Sequence, residues 1–333
     1  MRQGIPKILV TGGAGFIGSE FVRQACQKNQ KIVVVDNLSY AGDFERLKRV
    51  RKKITFYKAD ITDFNKLNSI FKKERPSSVV HFAAETHVDR SILDANPFIK
   101  ANITGTQNLI TASLLHKVRK FIHISTDEVY GQSIKGKFKE NAPLKPRNPY
   151  AATKAAGEFL VRAAIETYGF PALIVRPSNN YGPWQYPEKF VPVILAKALN
   201  DEKIPVYGRG RQIREWLYVT DCAKAILFLL KKGKTGEMYN IGSYFEQNNL
   251  KTATTLLKYL NKPSTLIQFV KDRPGHDFRY SVDCSKLFKL GWRPKVSFKK
   301  GIQRTIQWYM ENDAWIDKKR KTLKAYWKNV YHV

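Results

Sequence analysis

Cysteine is scarce in this sequence, because only Cys26, Cys222 and Cys284 occur among its 333 residues. They lie too far apart for a zinc-binding motif and suggest no disulfide framework, so neither a metal site nor an oxidising compartment is indicated. Long apolar runs are also missing, since no stretch approaches the length that crosses a bilayer. The chain enters a strand-like run almost at once, which is not the pattern of a secretory signal. We therefore expect a cytoplasmic protein with no membrane span and no bound metal.

Acidic residues are few relative to basic ones. The sequence has 28 Asp and Glu against 58 Lys and Arg, a formal net charge of +30. Such a charge can indicate binding to nucleic acid or to a membrane surface. Here most basic residues are spread along the chain, between helix-like and strand-like segments. We predict a lysine-rich surface that keeps the protein soluble, with no specific nucleic-acid partner. The alternative is a nucleic-acid- or membrane-associated scaffold.

Strand-like and helix-like stretches alternate through the first half of the chain. Short apolar runs such as KILVT and KIVVVD are separated by helical patterns of ten or more residues. The clearest of these patterns predict helices over 64–74, 97–116 and about 150–168. This alternation predicts an α/β protein built on a doubly wound parallel sheet of the Rossmann type.

The second half of the chain has a different pattern. After Gly182 the sequence becomes irregular and richer in Pro, Gly and aromatic residues. This change predicts a smaller C-terminal lobe that binds the substrate. The predicted Rossmann domain covers 1–178 and is rejoined by about 216–242, and the predicted lobe covers 179–215 and 243–333.

A glycine-rich loop follows the first predicted strand and opens a helix. Its Gly12, Gly15 and Gly18 have the spacing that lets backbone approach a pyrophosphate at a helix N-terminus. Asp36 ends the second strand about 20 residues further on, where a carboxylate can accept both ribose hydroxyls. Because that carboxylate would repel a 2′-phosphate, we predict NAD as the cofactor rather than NADP. The stretch KADI, residues 58–61, is a candidate contact for the adenine.

Tyr150 and Lys154 lie four residues apart at the start of a predicted helix, so their side chains share a face. A tyrosine is a poor base near neutrality, but a nearby ammonium and the positive nicotinamide favour the phenolate and lower the pKa of the phenol. With Thr126 at another strand end, the pair predicts a base-plus-hydroxyl set that oxidises an alcohol.

Asp127 and Glu128 stand side by side where a buried strand ends, in the stretch FIHISTDEVYG. One interpretation is structural, because Ser125 to Glu128 fits the S-x-x-E capping box of a helix. The residues that follow have no helical period, which weakens that interpretation. The other interpretation is catalytic, and it requires the backbone to turn so that both acids reach one cleft.

Several separate stretches resemble the extended short-chain dehydrogenase/reductases, and within them the sugar-nucleotide 4,6-dehydratases. The stretches are TGGAGFIGS, DNLSYAGD, HFAAETHVDRSI, NITGTQNL, STDEVYG, NPYAATKAA, RPSNNYGPWQYPEKF, GRQIREWLYVTD, NIGSYFEQNNL and DRPGHDFRYSVD. The resemblance covers nearly the whole chain. The Thr-Asp-Glu triplet is its most specific part, because related epimerases and decarboxylases generally lack the acid pair.

The resemblance implies a lyase reaction in deoxysugar synthesis, with dTDP-glucose converted to dTDP-4-keto-6-deoxyglucose. Tyr150 would take the C4 hydroxyl proton while hydride passes to NAD, with Lys154 and Thr126 assisting. Glu128 would remove the C5 proton, Asp127 would protonate the departing C6 hydroxyl, and the hydride would return to C6. The alternatives are a UDP-sugar 4,6-dehydratase, followed by a sugar-nucleotide epimerase or decarboxylase.

The resemblance also implies which residues contact the ligands. The residues implied to bind NAD are Gly12, Gly15, Phe16, Ile17, Gly18, Asp36, Asn37, Ser39, Asp60, Ile61, Phe82, Ala83, Ala84, Tyr150, Lys154 and Asn180. The residues implied to bind the sugar nucleotide are Thr86, Thr126, Asn179, Lys189, Arg214, Asn249, Asp272, His276, Arg279 and Tyr280. Lys and Arg suit a diphosphate, and Asn suits amide and hydroxyl groups. Helices on the sheet faces often pair in this family, which implies a homodimer.

Overall fold

The computed structural model describes residues 6–331. Its strands in chain order are β1 (Lys7–Thr11), β2 (Lys31–Asp36), β3 (Ile54–Lys58), β4 (Ser78–His81), β5 (Lys120–Ile124), β6 (Ala172–Pro177), β7 (Asn179–Tyr181), β8 (Ile204–Tyr207), β9 (Ile213–Tyr218), β10 (Met238–Ile241), β11 (Glu246–Asn248) and β12 (Ile267–Val270). Its α-helices are α1 (Phe16–Gln27), α2 (Phe64–Glu74), α3 (Val88–Leu93), α4 (Asn96–Ile99), α5 (Gly105–Leu115), α6 (Pro149–Tyr168), α7 (Phe190–Ala198), α8 (Val219–Lys232), α9 (Asn249–Tyr259), α10 (Ser285–Lys289), α11 (Phe298–Glu311) and α12 (Asp313–Tyr331). Short 3₁₀ segments cover Phe44–Lys53, Asp127–Tyr130 and Ser264–Leu266, and a π-helical turn covers Lys100–Thr104.

The main sheet has seven strands in the order β10-β6-β5-β4-β1-β2-β3. Every neighbouring pair in it is parallel. In β2 every residue after Lys31 is buried, as expected for a strand covered by helices on both faces. One hydrophobic core lies on each face of the sheet. The predicted doubly wound α/β fold is confirmed.

The helices agree with the sequence patterns except at one point. Helix α2 has the predicted bounds, and α6 begins one residue before the predicted start. The single helix predicted over 97–116 is instead α4, the π-helical turn and α5. The turn contains Asn102, whose buried side chain bonds to the backbone of Glu85. The helix widens locally at this π-helical turn, which the continuous apolar pattern of the sequence did not indicate. Among residues 6–331, no helix combines the length and apolarity needed to cross a bilayer.

Two small sheets and a separate hydrophobic core lie after β6. One sheet has the order β11-β9-β7, and the other pairs β12 with β8. Helices α7, α9, α11 and α12 contribute to this second core. Helix α8 packs on α1, and β10 joins the main sheet beside β6. Residues 216–218 end β9, which pairs with β7 in the small sheet. The predicted domain boundaries stay a prediction.

Candidate active site

A cavity of about 490 Å³ lies at the carboxyl ends of the main-sheet strands. Ligands of open parallel sheets bind at this edge. All five predicted catalytic residues line it, as do all sixteen predicted NAD-binding residues, Tyr150 and Lys154 belonging to both sets. The cavity therefore joins the glycine loop to the adjacent acids.

The glycine loop owes its shape to close backbone contacts. Gly12 has φ +67°, and a Cβ added there would lie 2.5 Å from the Ala83 nitrogen. A Cβ added at Gly18 would collide with the Gly12 carbonyl oxygen. Gly15 precedes the first turn of α1 without a side-chain cap. The loop thus brings backbone and the N-terminus of α1 to the cavity lining, in the arrangement that binds a pyrophosphate in other dinucleotide-binding loops.

Asp36 ends β2 at the far end of the cavity and is buried. Its two carboxylate oxygens accept hydrogen bonds from the Ala14 and Leu38 backbone nitrogens, each at 2.8 Å. Burial raises the pKa of Asp36, while these bonds act in the opposite direction. Nearby, Asn37 donates to the Asp60 carboxylate at 2.9 Å. The bonds fix the Asp36 carboxylate at the cavity, and its remaining lone pairs can still accept hydrogen bonds from ligand hydroxyls.

Tyr150 and Lys154 lie in the first two turns of α6, which Asn148 caps. Both side chains are buried, and the Lys154 ammonium donates to the Ile124 carbonyl oxygen at 2.6 Å. Burial lowers the pKa of Lys154 to about 8. Burial, and then the charge of Glu128, raise the pKa of Tyr150. The Thr126 hydroxyl acts on the Tyr150 pKa in the opposite direction, and the lowering predicted from an ammonium and a positive nicotinamide together stays a prediction.

The two acids lie on a 3₁₀ turn directly after β5. Thr126 caps the turn by accepting from the Glu128 nitrogen at 3.3 Å. The S-x-x-E capping box is wrong in detail, because Thr126 rather than Ser125 is the cap and only a short 3₁₀ turn follows. This turn is the change of direction that lets both acids line one cavity.

Asp127 and Glu128 have different surroundings. The Asp127 side chain is buried and receives a 3.3 Å hydrogen bond from Thr126, and its second oxygen has no partner among the described residues. Burial raises the pKa of Asp127 well above its ordinary value, and the charge of Glu128 acts in the same direction. Glu128 instead accepts from the Tyr280 hydroxyl at 3.2 Å and from the Asn148 amide at 3.4 Å. The two adjacent carboxyl groups thus differ in their surroundings, because Asp127 has an oxygen without a partner among the described residues and Glu128 accepts two hydrogen bonds.

The predicted substrate residues fall into two groups. Thr86, Thr126, Asn179 and Lys189 line the cavity. The Lys189 ammonium donates to the Thr86 carbonyl oxygen at 2.7 Å, which ties the loop after β4 to the start of α7.

The remaining predicted substrate residues lie outside the cavity lining: Arg214, Asn249, Asp272, His276, Arg279 and Tyr280. The Arg214 guanidinium lies over the Tyr280 ring at 4.3 Å and donates to backbone carbonyls. Its neighbour Tyr280 is the residue whose hydroxyl bonds to Glu128. His276 bonds to Asp272 at 2.6 Å. Arg279 is held in an ion pair with Glu246 at 2.6 Å.

Sequence reasoning missed several residues at the cavity. Glu85 lines it, and burial raises the pKa of Glu85 to about 7 with Glu188 acting in the same direction. Glu188 lines it too, and accepts from Tyr40 at 2.9 Å and Arg90 at 3.0 Å. An acid just after a strand, as Asp36 is, was a signal that could have found Glu85. Glu188 and its partners had no such signal, because they are far apart in the sequence.

This fold and this cavity define the extended short-chain dehydrogenase/reductases. Within that class the chain belongs to the GDP-mannose 4,6 dehydratase family, whose model matches residues 9–305. The resemblance inferred from the sequence motifs is therefore confirmed.

Individual relatives are similar over nearly their whole lengths. The dTDP-glucose 4,6-dehydratase of Neisseria meningitidis serogroup B is 45% identical, covering 93% of this chain and 94% of the relative. Among solved structures, DesIV, the dTDP-glucose 4,6-dehydratase of Streptomyces venezuelae with NAD and TYD bound, has a TM-score of 0.90 at 42% identity, covering 93% and 98%. The Thermus thermophilus UDP-glucose 4-epimerase in complex with NAD has a TM-score of 0.87 at 31% identity, covering 92% and 99%.

Proposed function

We propose that the protein is an NAD-dependent sugar-nucleotide 4,6-dehydratase that converts dTDP-glucose to dTDP-4-keto-6-deoxyglucose. The observation that carries this proposal is the position of Asp127 and Glu128, which are buried in the same cavity as Tyr150 and Lys154. Oxidation of an alcohol needs only a base and a hydride acceptor. Elimination of water needs a base and an acid at the same time, and two adjacent carboxyl groups can fill both roles.

The cavity residues fit NAD. The bare backbone from Gly12 to Gly18 would hold the pyrophosphate at the N-terminus of α1, and Asp36 would accept the adenosine ribose hydroxyls. Bound NAD supplies the acceptor for hydride from sugar C4 and the donor that returns hydride to C6. The NAD in the DesIV and Thermus epimerase structures supports this assignment, and the Asp36 carboxylate favours NAD over NADP.

Tyr150 would act first, by taking the proton of the sugar C4 hydroxyl. Burial opposes this role because it raises the pKa of Tyr150, and the Thr126 hydroxyl acts in the opposite direction. We therefore assign Thr126 an assisting role. Lys154 lies one turn after Tyr150 on the same face of α6, and its ammonium is fixed by a hydrogen bond to the Ile124 carbonyl oxygen at the end of β5. It would hold positive charge beside the oxidation centre.

Glu128 and Asp127 would then eliminate water across C5 and C6. A ketone at C4 makes the C5 proton acidic, and Glu128 would remove it. Asp127 would protonate the leaving C6 oxygen, a role that suits a carboxyl whose pKa is raised by burial and by the neighbouring Glu128 charge. The two neighbours would thus serve one step together, Glu128 as base and Asp127 as acid.

The nucleotide would extend from this cavity toward the second core. Lys189 and Arg214 offer positive charge for a diphosphate, and Asn179 and Asn249 offer amide groups for hydroxyl or base edges. The other residues that we assign to substrate binding are Thr86, Thr126, Asp272, His276, Arg279 and Tyr280. The family relationship supports these assignments, which mutation of each residue and measurement of KM would test.

The direct test is incubation of the purified protein with matched dTDP- and UDP-sugars. We expect a 4-keto-6-deoxy product from dTDP-glucose. A preference for UDP-sugars would favour the UDP-sugar dehydratase alternative, which uses the same catalytic residues. Inversion at C4, or loss of carbon dioxide, without elimination would contradict the dehydratase and favour an epimerase or decarboxylase. The epimerase alternative draws support from structural similarity alone.

We also propose a homodimer, because large apolar side chains are exposed on neighbouring helices. Leu93 of α3, Ile99 of α4 and Phe159 of α6 are 61%, 45% and 52% exposed, and α6 packs beside α3 and α4. Light scattering should give twice the chain mass, and Phe159→Lys should lower it, whereas a wild-type monomer would contradict the dimer. A cytoplasmic location is likewise a proposal, supported by three buried, free cysteines.

A further inference from the structure

The base Glu128 is connected to a second buried acid through one tyrosine. The Tyr280 hydroxyl lies 3.2 Å from Glu128 Oε2 and 2.8 Å from Asp277 Oδ2. A phenol has a single proton, so it can donate to only one of these carboxylates at a time. The other contact is a hydrogen bond when that carboxyl carries a proton itself. The three groups are therefore arranged to share protons between two carboxyl groups.

Asp277 continues this connection toward the surface. Its side chain is fully buried, and its other oxygen, Oδ1, accepts from Arg147 Nη1 at 3.2 Å. The Arg147 side chain is 41% exposed. Burial raises the pKa of Asp277, although the Tyr280 hydroxyl and Arg147 act in the opposite direction. Asp277 thus combines a buried contact to Tyr280, the partner of Glu128, with a neighbour, Arg147, whose side chain reaches water.

The proposed elimination gives this connection a use. After the step, Glu128 holds the proton from C5, and C5 must later receive a proton when hydride returns to C6. Glu128 and Tyr280 are both buried. A route through side chains would let the proton on Glu128 exchange with solvent while substrate fills the cavity.

We propose that Glu128, Tyr280 and Asp277 form a proton relay that links the C5 base to solvent beside Arg147. The inference rests on the proposed dehydratase function. It makes Asp277, to which the sequence motifs assigned no role, a positioning and proton-transfer residue for the reaction.

The relay balances protons without any change in oxidation state. In the elimination, the C5–H electron pair forms the C5=C6 bond, and the C6–O pair leaves with the oxygen that Asp127 protonates. The proton on Glu128 then passes to the Tyr280 oxygen while the phenolic proton passes to Asp277. Asp277 releases a proton to water near Arg147. The same transfers in reverse bring a solvent proton to C5.

The relay can be tested by the isotope found at C5. Wild-type enzyme with bound NAD is given dTDP-glucose in D₂O, and the product is analysed at early times. A product-only control corrects for exchange at the carbon beside the ketone. We expect deuterium at C5 from the wild type. In Asp277→Asn the relay is broken, so we expect loss of that deuterium and return of the original protium to C5.

Two further variants complete the test. Tyr280→Phe removes the bridging hydroxyl but keeps the ring beneath Arg214, so it should show the same loss. Asp283→Asn is the matched control, because its carboxylate bonds to Tyr244 at 3.1 Å and to the Ser285 nitrogen at 2.8 Å rather than to Tyr280. It should give wild-type labelling. Because the label reports the source of the proton, slower turnover through a distorted site would not reproduce the result.

The outcomes separate the relay from the reaction itself. Protium at C5 from both relay variants, with deuterium from Asp283→Asn, would support the relay. Full deuterium at C5 from Asp277→Asn and Tyr280→Phe would overturn the relay and leave the dehydratase intact. A wild-type enzyme that makes no 4-keto-6-deoxy product would instead contradict the proposed function, and the relay with it.

Discussion

The dinucleotide end and the elimination end of the cavity are assembled from different kinds of contact. At the dinucleotide end, the groups lie between Gly12 and Asp36, and the Asp36 carboxylate bonds to backbone only 22 residues away at Ala14. At the elimination end, Glu128 bonds to Tyr280, which is 152 residues further along the chain. The first end is largely backbone shaped by glycine, whereas the second is a set of buried side chains whose protonation depends on one another.

This difference separates binding from chemistry. Backbone N–H groups and one fixed carboxylate suffice to hold a dinucleotide, and a local motif can specify them. Elimination requires two adjacent acids in unequal states, and that inequality comes from burial and from partners in distant segments. Changes at the two ends should therefore fail in different ways.

The largest expected effect is at the elimination end. Asp127→Asn combined with Glu128→Gln keeps the turn but removes both proton-transfer groups. General acid–base help is worth about 10²–10⁴ in rate per group, so 4-keto-6-deoxy product should fall by at least that factor. Oxidation at C4 should persist, and NADH absorbance should appear when substrate is added.

A second Asp-Glu pair in the chain provides a matched control for the double variant. Asp201 and Glu202 are also adjacent, but Asp201 is exposed and Glu202 only half-buried, and they pair with Lys262, Lys197 and Arg320. Asp201→Asn with Glu202→Gln should leave the product yield near that of the wild type. If the Asp127 and Glu128 double variant also made product at the wild-type rate, the acids at the cavity would be structural.

A smaller effect is expected at the dinucleotide end. Asp36→Ala removes the carboxylate that would meet the ribose. Because hydrogen bonds to a charged group are lost, NAD affinity should fall by about 10- to 100-fold. The preference for NAD over NADP should narrow at the same time. Equilibrium binding of both cofactors measures this, with Asp36→Asn as the conservative comparison. Equal binding of NAD and NADP by the wild type would show that Asp36 has been misassigned.

Lys154 lies between the two ends and should report its burial through stability. The pKa of Lys154 falls from an ordinary 10.5 to about 8 in the folded protein. The unfolded chain therefore binds more protons between these values, and wild-type stability rises with pH across that window. Lys154→Met lacks this dependence, apart from a pH-independent cost for the lost bond to Ile124.

The melting temperature of Lys154→Met minus that of the wild type should thus be highest below about pH 8. This difference should decrease as pH rises through that window, because only the wild type gains stability there. Thermal melts across the alkaline range measure it. A difference that stays constant with pH would mean that the Lys154 ammonium is not desolvated in the folded state.

The smallest expected effect concerns the surface charge, which belongs to neither end. If the +30 net charge merely solubilises the protein, DNA affinity should be weak and should vanish with modest salt, as for a few nonspecific phosphate contacts. A fluorescence titration at several salt concentrations checks this. Sequence-selective binding that survives physiological salt would favour the scaffold alternative.

The sequence predicted the dinucleotide end of the cavity more completely than the elimination end. The sheet, α2, α6 and the glycine loop follow from periodicity and spacing, which are local properties of the chain. The π-helical turn at Asn102 and the position of residues 216–218 in the small sheet depend on tertiary pairing, so no local pattern indicated them. Glu188 was missed because its partners Tyr40 and Arg90 are distant in sequence, and Asp277 because its contact with Glu128 through Tyr280 spans distant segments.

The central claim is that both ends act on one sugar in a single cycle, and a labelled substrate tests it most directly. dTDP-glucose carrying deuterium at C4 is converted by the wild-type enzyme, and the product is examined by NMR and mass spectrometry. We predict that the deuterium reappears at C6 of the 4-keto-6-deoxy product, because the hydride removed at C4 returns to the same sugar. A product with no deuterium at C6, or with the label retained at C4, would contradict this account.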